Sequence, residues 1–185
     1  MPSIEVGTSA MPLPSAELNL AGTSTSEKQF LMASASGSLA AGQPLTCFAP
    51  GTNVLKRRPF KVVVGGRVTG GGATNFTAKL YLGTSSTIAS NTNIASSGAV
   101  ATAGNTGTWH LECDLGWDSD NGIVSGLLRG WVIAVAVAAV TLTTSASITT
   151  LNTENSNNGF TVTGQFSSGI AANAAYVDYF EVLTR

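Results

Sequence analysis

One histidine, two cysteines and ten carboxylates are the side chains in this sequence with most scope for chemistry. His110 stands alone, so neither a histidine metal cage nor a two-histidine acid–base pair forms within one chain. Cys47 and Cys113 lie far apart and lack the close spacing of a zinc site. Cys113 alternates with Trp109, Leu111 and Leu115, which reads as a buried thiol on a core face in preference to half of a disulfide. His110 could pair with Cys47, but it points away from Cys113 and nothing else suggests an activated thiol. His110 reads as a partly exposed structural histidine. No metal and no cofactor is expected.

The acids give no more. Glu112 and Asp114 share an outward face of one strand, ~7 Å apart, whereas glycoside hydrolysis needs two carboxyls converging in a cleft. They read as a solvated stripe. Asp114, Asp118, Asp120 and Asn121 gather near a turn, but Gly122 comes one position early for a calcium loop. Arg129 also stands where the bidentate glutamate belongs, so a hairpin turn with solvated acids is the stronger reading and a calcium site the lesser alternative. The hydrolase elbow G-x-S-x-G is absent; Gly122-Ile123-Val124-Ser125-Gly126 is nearest, with the wrong spacing. No lysine follows a glycine, so the glycines between 65 and 72 read as a bulge and a hairpin tip, not a phosphate loop. An enzyme with a small-molecule substrate is not expected.

Two further groups could meet a partner. Lys56-Arg57-Arg58 directly precedes Pro59 and an apolar strand. Charge and proline there would discourage stray edge pairing, or would anchor an acidic patch such as the Glu112/Asp114 stripe of a neighbouring copy. Trp109 and Trp117 share the parity of the apolar set, which favours core, while Trp117 and Trp131 lie near strand ends where a sugar could stack.

The elements that must position these residues are strands. Period-two alternation predicts them at 29–34, 44–49, 59–69, 75–82, 107–115, 123–128, 131–143, 147–151, 160–166 and 176–183. Glycine, serine and asparagine clusters separate them. Phe76, Ala78, Leu80 and Leu82 oppose Thr77, Lys79 and Tyr81; Phe160, Val162, Gly164 and Phe166 oppose Thr161, Thr163 and Gln165. That is the signature of antiparallel sheets with one solvated face, and the predicted architecture is an all-β two-sheet jelly-roll sandwich over residues 29–185. Residues 1–28 lack any period, carry Pro2, Pro12 and Pro14, and read as an extended arm.

Ile123–Leu142 is mostly apolar, yet Arg129 interrupts it and the clean run from Trp131 to Val140 is about half of what a bilayer span needs. Alternating Ile133, Val135 and Val137 with Ala134, Ala136 and Ala138 predict a fully buried strand instead. The N-terminus has neither a basic segment nor an apolar run, so no signal peptide is expected.

Charged residues make up only 10% of the chain, against roughly 25% in ordinary soluble domains, and the net charge is −1. No basic field exists to hold phosphates, so nucleic acid is not an expected partner. Helical bundles are excluded by 21 glycines and few glutamates or lysines. A surface of Ser, Thr, Asn, Gly and Ala suits contact with other proteins, or a robust extracellular β domain.

Three segments in order carry a resemblance: Phe60-Lys61-Val62-Val63-Val64-Gly65-Gly66 with Thr77-Ala78-Lys79-Leu80-Tyr81-Leu82-Gly83; Thr108-Trp109-His110-Leu111-Glu112-Cys113-Asp114-Leu115 with Gly122-Ile123-Val124-Ser125-Gly126; and Phe160-Thr161-Val162-Thr163-Gly164-Gln165-Phe166 with Tyr176-Val177-Asp178-Tyr179-Phe180-Glu181-Val182. Over residues 45–185 this order resembles the jelly-roll structural proteins of tailed-bacteriophage virions, most of all trimeric head decoration (cement) proteins. The resemblance implies a non-enzymatic homotrimer on the capsid exterior, bound to the major capsid protein and made in the host cytoplasm. It also implies an arm, here with Ile4, Val6, Leu13 and Leu18, that clasps the capsid or a sister subunit. Lys56, Arg57, Arg58, Glu112 and Asp114 complete the expected partner-binding set. A tail, baseplate or fibre module holding host carbohydrate on Trp117, Trp131 or Tyr81 is the alternative.

Overall fold

The computed structural model describes residues 9–10, 16–18, 24–33, 41–48, 59–83, 88–118, 123–133, 135–144 and 159–184. Its strands are β1 (Ser9–Ala10), β2 (Ala16–Leu18), β3 (Lys28–Met32), β4 (Thr46–Phe48), β5 (Pro59–Thr69), β6 (Asn75–Gly83) and β7 (Thr92–Ser96), then β8 (Val100–Ala101), β9 (Thr106–Asp118), β10 (Ile123–Val132), β11 (Val135–Thr144), β12 (Gly159–Phe166), β13 (Ala174–Val177) and β14 (Tyr179–Thr184). They join in one 14-stranded antiparallel sheet with the main path β11-β10-β9-β5-β13-β2-β3-β12-β6-β7. The two ends of the path approach where β11 comes against β7 and β8, so the sheet is nearly closed into a barrel. The all-β, antiparallel reading holds. In place of two separate sheets there is one hydrogen-bonded path.

Alternation builds the core as expected along β6 and β9. Phe76, Ala78, Leu80 and Leu82, and then Trp109, Leu111, Cys113 and Leu115, all face inward at 2% exposure or less. Trp109 is at the centre, its ring stacked on Phe30 of β3 at 5.9 Å and edge-on to Phe76 at 5.7 Å. Phe166 of β12 continues the cluster, 5.2 Å from Phe76. Such pairs add about 0.5–1.5 kcal/mol each beyond the area they bury.

Closure turns on one corner. Four residues step from Ala175 to Tyr179 while three step from Val68 to Gly65, so a bulge sits opposite Gly65–Gly66. Below the bulge β14 follows β5; above it β13 stays beside β5 through Ala174 and Ala175, while Tyr176 and Val177 pair with Glu17 and Ala16 of β2 on the other side. The crossing backbone is so close that a Cβ on Gly66 would lie 2.1 Å from the Tyr176 carbonyl oxygen. The Trp109 indole N–H donates to that same oxygen at 2.9 Å, and the Asp178 amide donates to the Gly65 carbonyl at 2.9 Å. Every polar group of the crossing named here has a partner.

Several expectations change. Residues 16–18, read as part of the arm, form a strand between β13 and β3, with Ala16 and Leu18 in the core. The glycines near 70 are not a hairpin tip: β5 and β6 do not pair, and the 70–74 link crosses from one part of the sheet to another. Thr161 and Thr163 are fully buried, so the face of β12 expected to be solvated is covered except at Gln165. Strands 123–128 and 131–143 divide elsewhere, because β10 continues through Arg129, Gly130 and Val132 and the chain turns at Ile133 before β11. Val132 and Val135 pair across that turn, Ile133 has φ 46°, and Val135 is 49% exposed on what was expected to be a buried strand. The strand expected at 147–151 lies outside the described residues.

The corner makes a direct prediction. Gly66→Ala should lower unfolding free energy by at least about 2 kcal/mol in urea titration, because backbone must move to admit the methyl. Gly116→Ala, in the same sheet with nothing nearer than 4.0 Å to its new Cβ, should stay within about 0.5 kcal/mol of wild type. Equal effects would contradict the crossing.

Candidate functional site

The outer face of β14, β5, β9 and β10 carries most of the ionisable side chains that strand pairing brings together. Three adjacent rows run across it: Leu183–Lys61–Asp114–Leu127, then Glu181–Val63–Glu112–Arg129, then Tyr179–Gly65–His110–Trp131. Each row takes one outward residue from each of four strands, as the pleat requires.

The first two rows form a charge network. Lys61 Nζ meets Glu112 Oε1 at 2.7 Å and Asp114 Oδ1 at 3.6 Å. Arg129 donates through Nε to Glu112 Oε1 at 3.0 Å and through Nη2 to Asp114 Oδ2. The hydrogen bond from Lys61 dominates in holding Glu112 below the usual carboxylate range, and Arg129 adds to it against partial burial. Glu112 and Asp114 were expected as a free acidic stripe for a neighbour's cations. Their charge is instead matched within the chain, and Asp114 lies in mid-strand, away from the turn where a calcium loop was weighed.

The third row depends on a missing side chain. A Cβ on Gly65 would lie 2.2 Å from the Tyr179 hydroxyl oxygen, so glycine there lets the Tyr179 side chain lie across β5 and reach His110. The hydroxyl and His110 Nδ1 share a hydrogen bond of 2.8 Å. On the other side Trp131 stacks on the imidazole at 4.3 Å between centroids and 23° between planes. Burial is the main cause that pushes the His110 pKa down, with Lys61 adding to it and Glu112 opposing. The ring is therefore held neutral between two aromatics. Trp131 remains 42% exposed.

Two other polar groups fasten the sheet. Glu27 accepts from Lys79 Nζ at 2.5 Å, Tyr81 Oη at 2.7 Å and Thr163 Oγ1 at 2.6 Å. Partial burial works to raise its pKa, yet these three bonds together outweigh it and hold the carboxyl low. Tyr81, expected as a candidate sugar platform, is committed to Glu27 and its phenol is pushed up to about 12, chiefly by burial. Arg67 forms a forked pair with Asp178, both bonds 2.9 Å, and lies 4.6 Å over the Tyr176 ring.

The remaining expected residues are dispersed. Leu18, read as part of a clasping arm, is buried in this chain's own core. Ile4, Val6, Leu13, Lys56, Arg57, Arg58, Asp120 and Asn121 lie outside the described residues, as does the side chain of Trp117. Cys113 is a free buried thiol whose pKa burial pushes up to about 12. Among the described residues no group of three His, Cys, Asp or Glu is placed to hold a metal, and no helix is long and apolar enough to cross a membrane. Lys61, Arg129, Gly65 and Tyr179 were not anticipated. The alternation of Tyr179, Glu181 and Leu183 against Phe180 and Val182 signals the face they share, but not which strands lie beside it.

Compared with family models, curated proteins and solved structures, the chain matches none.

His110 sets a pH dependence with a definite sign. Its folded pKa lies below the unfolded value near 6.5, so the unfolded chain binds the proton first. The stability from the neutral ring is complete above about pH 6.5 and declines as pH falls towards the folded pKa, by at most about 1.4 kcal/mol per unit. Urea midpoints should fall between pH 7.5 and 5.5 in wild type, and less in His110→Gln. An unchanged slope in the variant would contradict this role.

Proposed function

We propose that this chain is a non-enzymatic structural protein of a tailed-phage virion, a head decoration protein that binds the capsid exterior as a trimer. The observation that best supports the reading is how the first and last described strands hold each other. Ser9 and Ala10 pair with Val182 and Glu181, and Ala16 and Glu17 pair with Val177 and Tyr176. Force on either end of the chain is thus met by backbone pairs to the other end, and peeling β2 away would also expose Ala16 and Leu18. That suits a protein fixed to a shell under outward pressure. A chain with 10% charged residues, whose described charges are largely paired internally, has little like-charge repulsion to oppose close packing of copies.

The jelly-roll form of the fold belongs to the same proposal. β5 followed by β6 runs beside β14 and β12, with β5 on β14 and β6 on β12, an arrangement of two folded-over strand pairs. A trimer spanning capsid subunits adds contacts that must break before the subunits part, so its binding stabilises the assembled state by mass action.

Native mass spectrometry should give a trimer, and titration onto bare expanded capsids should saturate at a fixed copy number and raise their rupture temperature. Ile4→Ser with Val6→Ser should lower occupancy without changing the unfolding midpoint. A monomer that leaves capsids bare would overturn the reading.

A further inference from the structure

The charge network and the aromatic row meet at Trp131, and the two tryptophans of known surroundings are used in opposite ways. Trp109 is fully buried and its indole N–H is taken by the Tyr176 carbonyl. Trp131 is 42% exposed. A large ring left open to water is usually free to rotate, at an entropic cost to any ligand that orders it. Here one face is already held against His110 at 4.3 Å, and His110 is held in turn by Tyr179 at 2.8 Å. The remaining face is thereby held in one orientation.

Beside that face, one pair of residues along β10, Arg129 is 51% exposed on its side chain, and its guanidinium is locked to Glu112 and Asp114. Two cations, Lys61 and Arg129, match two carboxylates, Glu112 and Asp114, so the group beside Trp131 presents fixed donors and acceptors that balance in charge, with Glu181 at the far end of the Arg129 row. A charged ligand gains little from such a patch. The buried centre of an interface between protein copies is depleted of charge, whereas on β9 and β10 the same-face neighbours of Trp131 are His110 and Arg129, with Glu112 beyond, and Ala136 of β11 pairs with it on the other side. A ligand that offers an apolar face of C–H groups ringed by hydroxyls satisfies both halves of the patch.

We propose that the exposed face of Trp131, with Arg129, Glu112 and Asp114 beside it, is a binding site for a neutral pyranose ring of a glycan. The sugar's C–H face stacks on the indole, and its hydroxyls accept from the indole N–H and Arg129 and donate to the two carboxylates. His110 and Tyr179 are positioning residues. The site does not depend on whether the chain sits on a phage head, on a tail or elsewhere.

The test is a fluorescence and saturation-transfer NMR titration of the full chain with hexasaccharides of glucose, galactose and N-acetylglucosamine, with polygalacturonate and chitosan as charged controls. At least one neutral oligosaccharide should bind saturably. Trp131→Ala should weaken it tenfold or more, Trp131→Phe by less and Arg129→Gln by at least threefold, with unfolding midpoints of both tryptophan variants close to wild type. Binding that survives Trp131→Ala, binding of charged polymers only, or no saturation across the neutral panel would each overturn the proposal. So would a Trp131→Ala variant that dissociates an oligomer while sugar binding is unchanged, since the face would then be a contact between copies.

Discussion

The close passage of Tyr176 over Gly66 is the contact on which the rest of the molecule depends. The last stretch of chain stays beside β5, first as β13 and then as β14, and the change from one to the other is a bulge at which it also takes β2 on its other edge. The change requires an extra residue, a backbone approach that excludes any side chain at 66, and a partner for the carbonyl that is turned inward. Trp109 supplies the last, and in doing so it ties the corner to Phe30 and Phe76. A tryptophan is suited to that position because one side chain both fills the centre of the core and donates a hydrogen bond at its edge.

The neighbouring glycine has its effect on the opposite face. With no side chain on Gly65, Tyr179 crosses β5 to reach His110, and the imidazole then supports Trp131. Adjacent positions of one strand therefore organise both the interior and the outer surface. The charge network on the rows beside them is held by strand register: Lys61 opposes Asp114, and Arg129 opposes Glu112. Its members are one-sixth to one-half exposed, so it fixes geometry on the surface more than it adds to stability.

Much of the fold was legible in the residues. Period-two patterns located β5, β6 and β9 closely and assigned Trp109, Leu111 and Cys113 to the core, because alternation reports directly which face of a strand is covered. The same pattern is silent on which strand lies alongside. Glu112 and Asp114 therefore read as a free stripe although Lys61 and Arg129 lie beside them, and Tyr81 read as exposed although Glu27 reaches it. Thr161 and Thr163 look solvated by type and are buried, Thr163 through a bond to Glu27. β2 is too short to show a period, and its burial comes only from the strands that close over it. Ile133 was misplaced for a different reason: a β-branched residue at positive φ is a poor turn former, and its packing against the core sustains what local preference disfavours.

Hydrogen exchange of the tryptophan indole protons, followed by nitrogen-resolved NMR, tests this division between a closing tryptophan and a surface one. The Trp109 indole proton should exchange only as fast as the slowest backbone amides, by opening of the whole sheet, while the Trp131 proton should exchange within the dead time. Comparable rates for the two, or a protected Trp131, would contradict it.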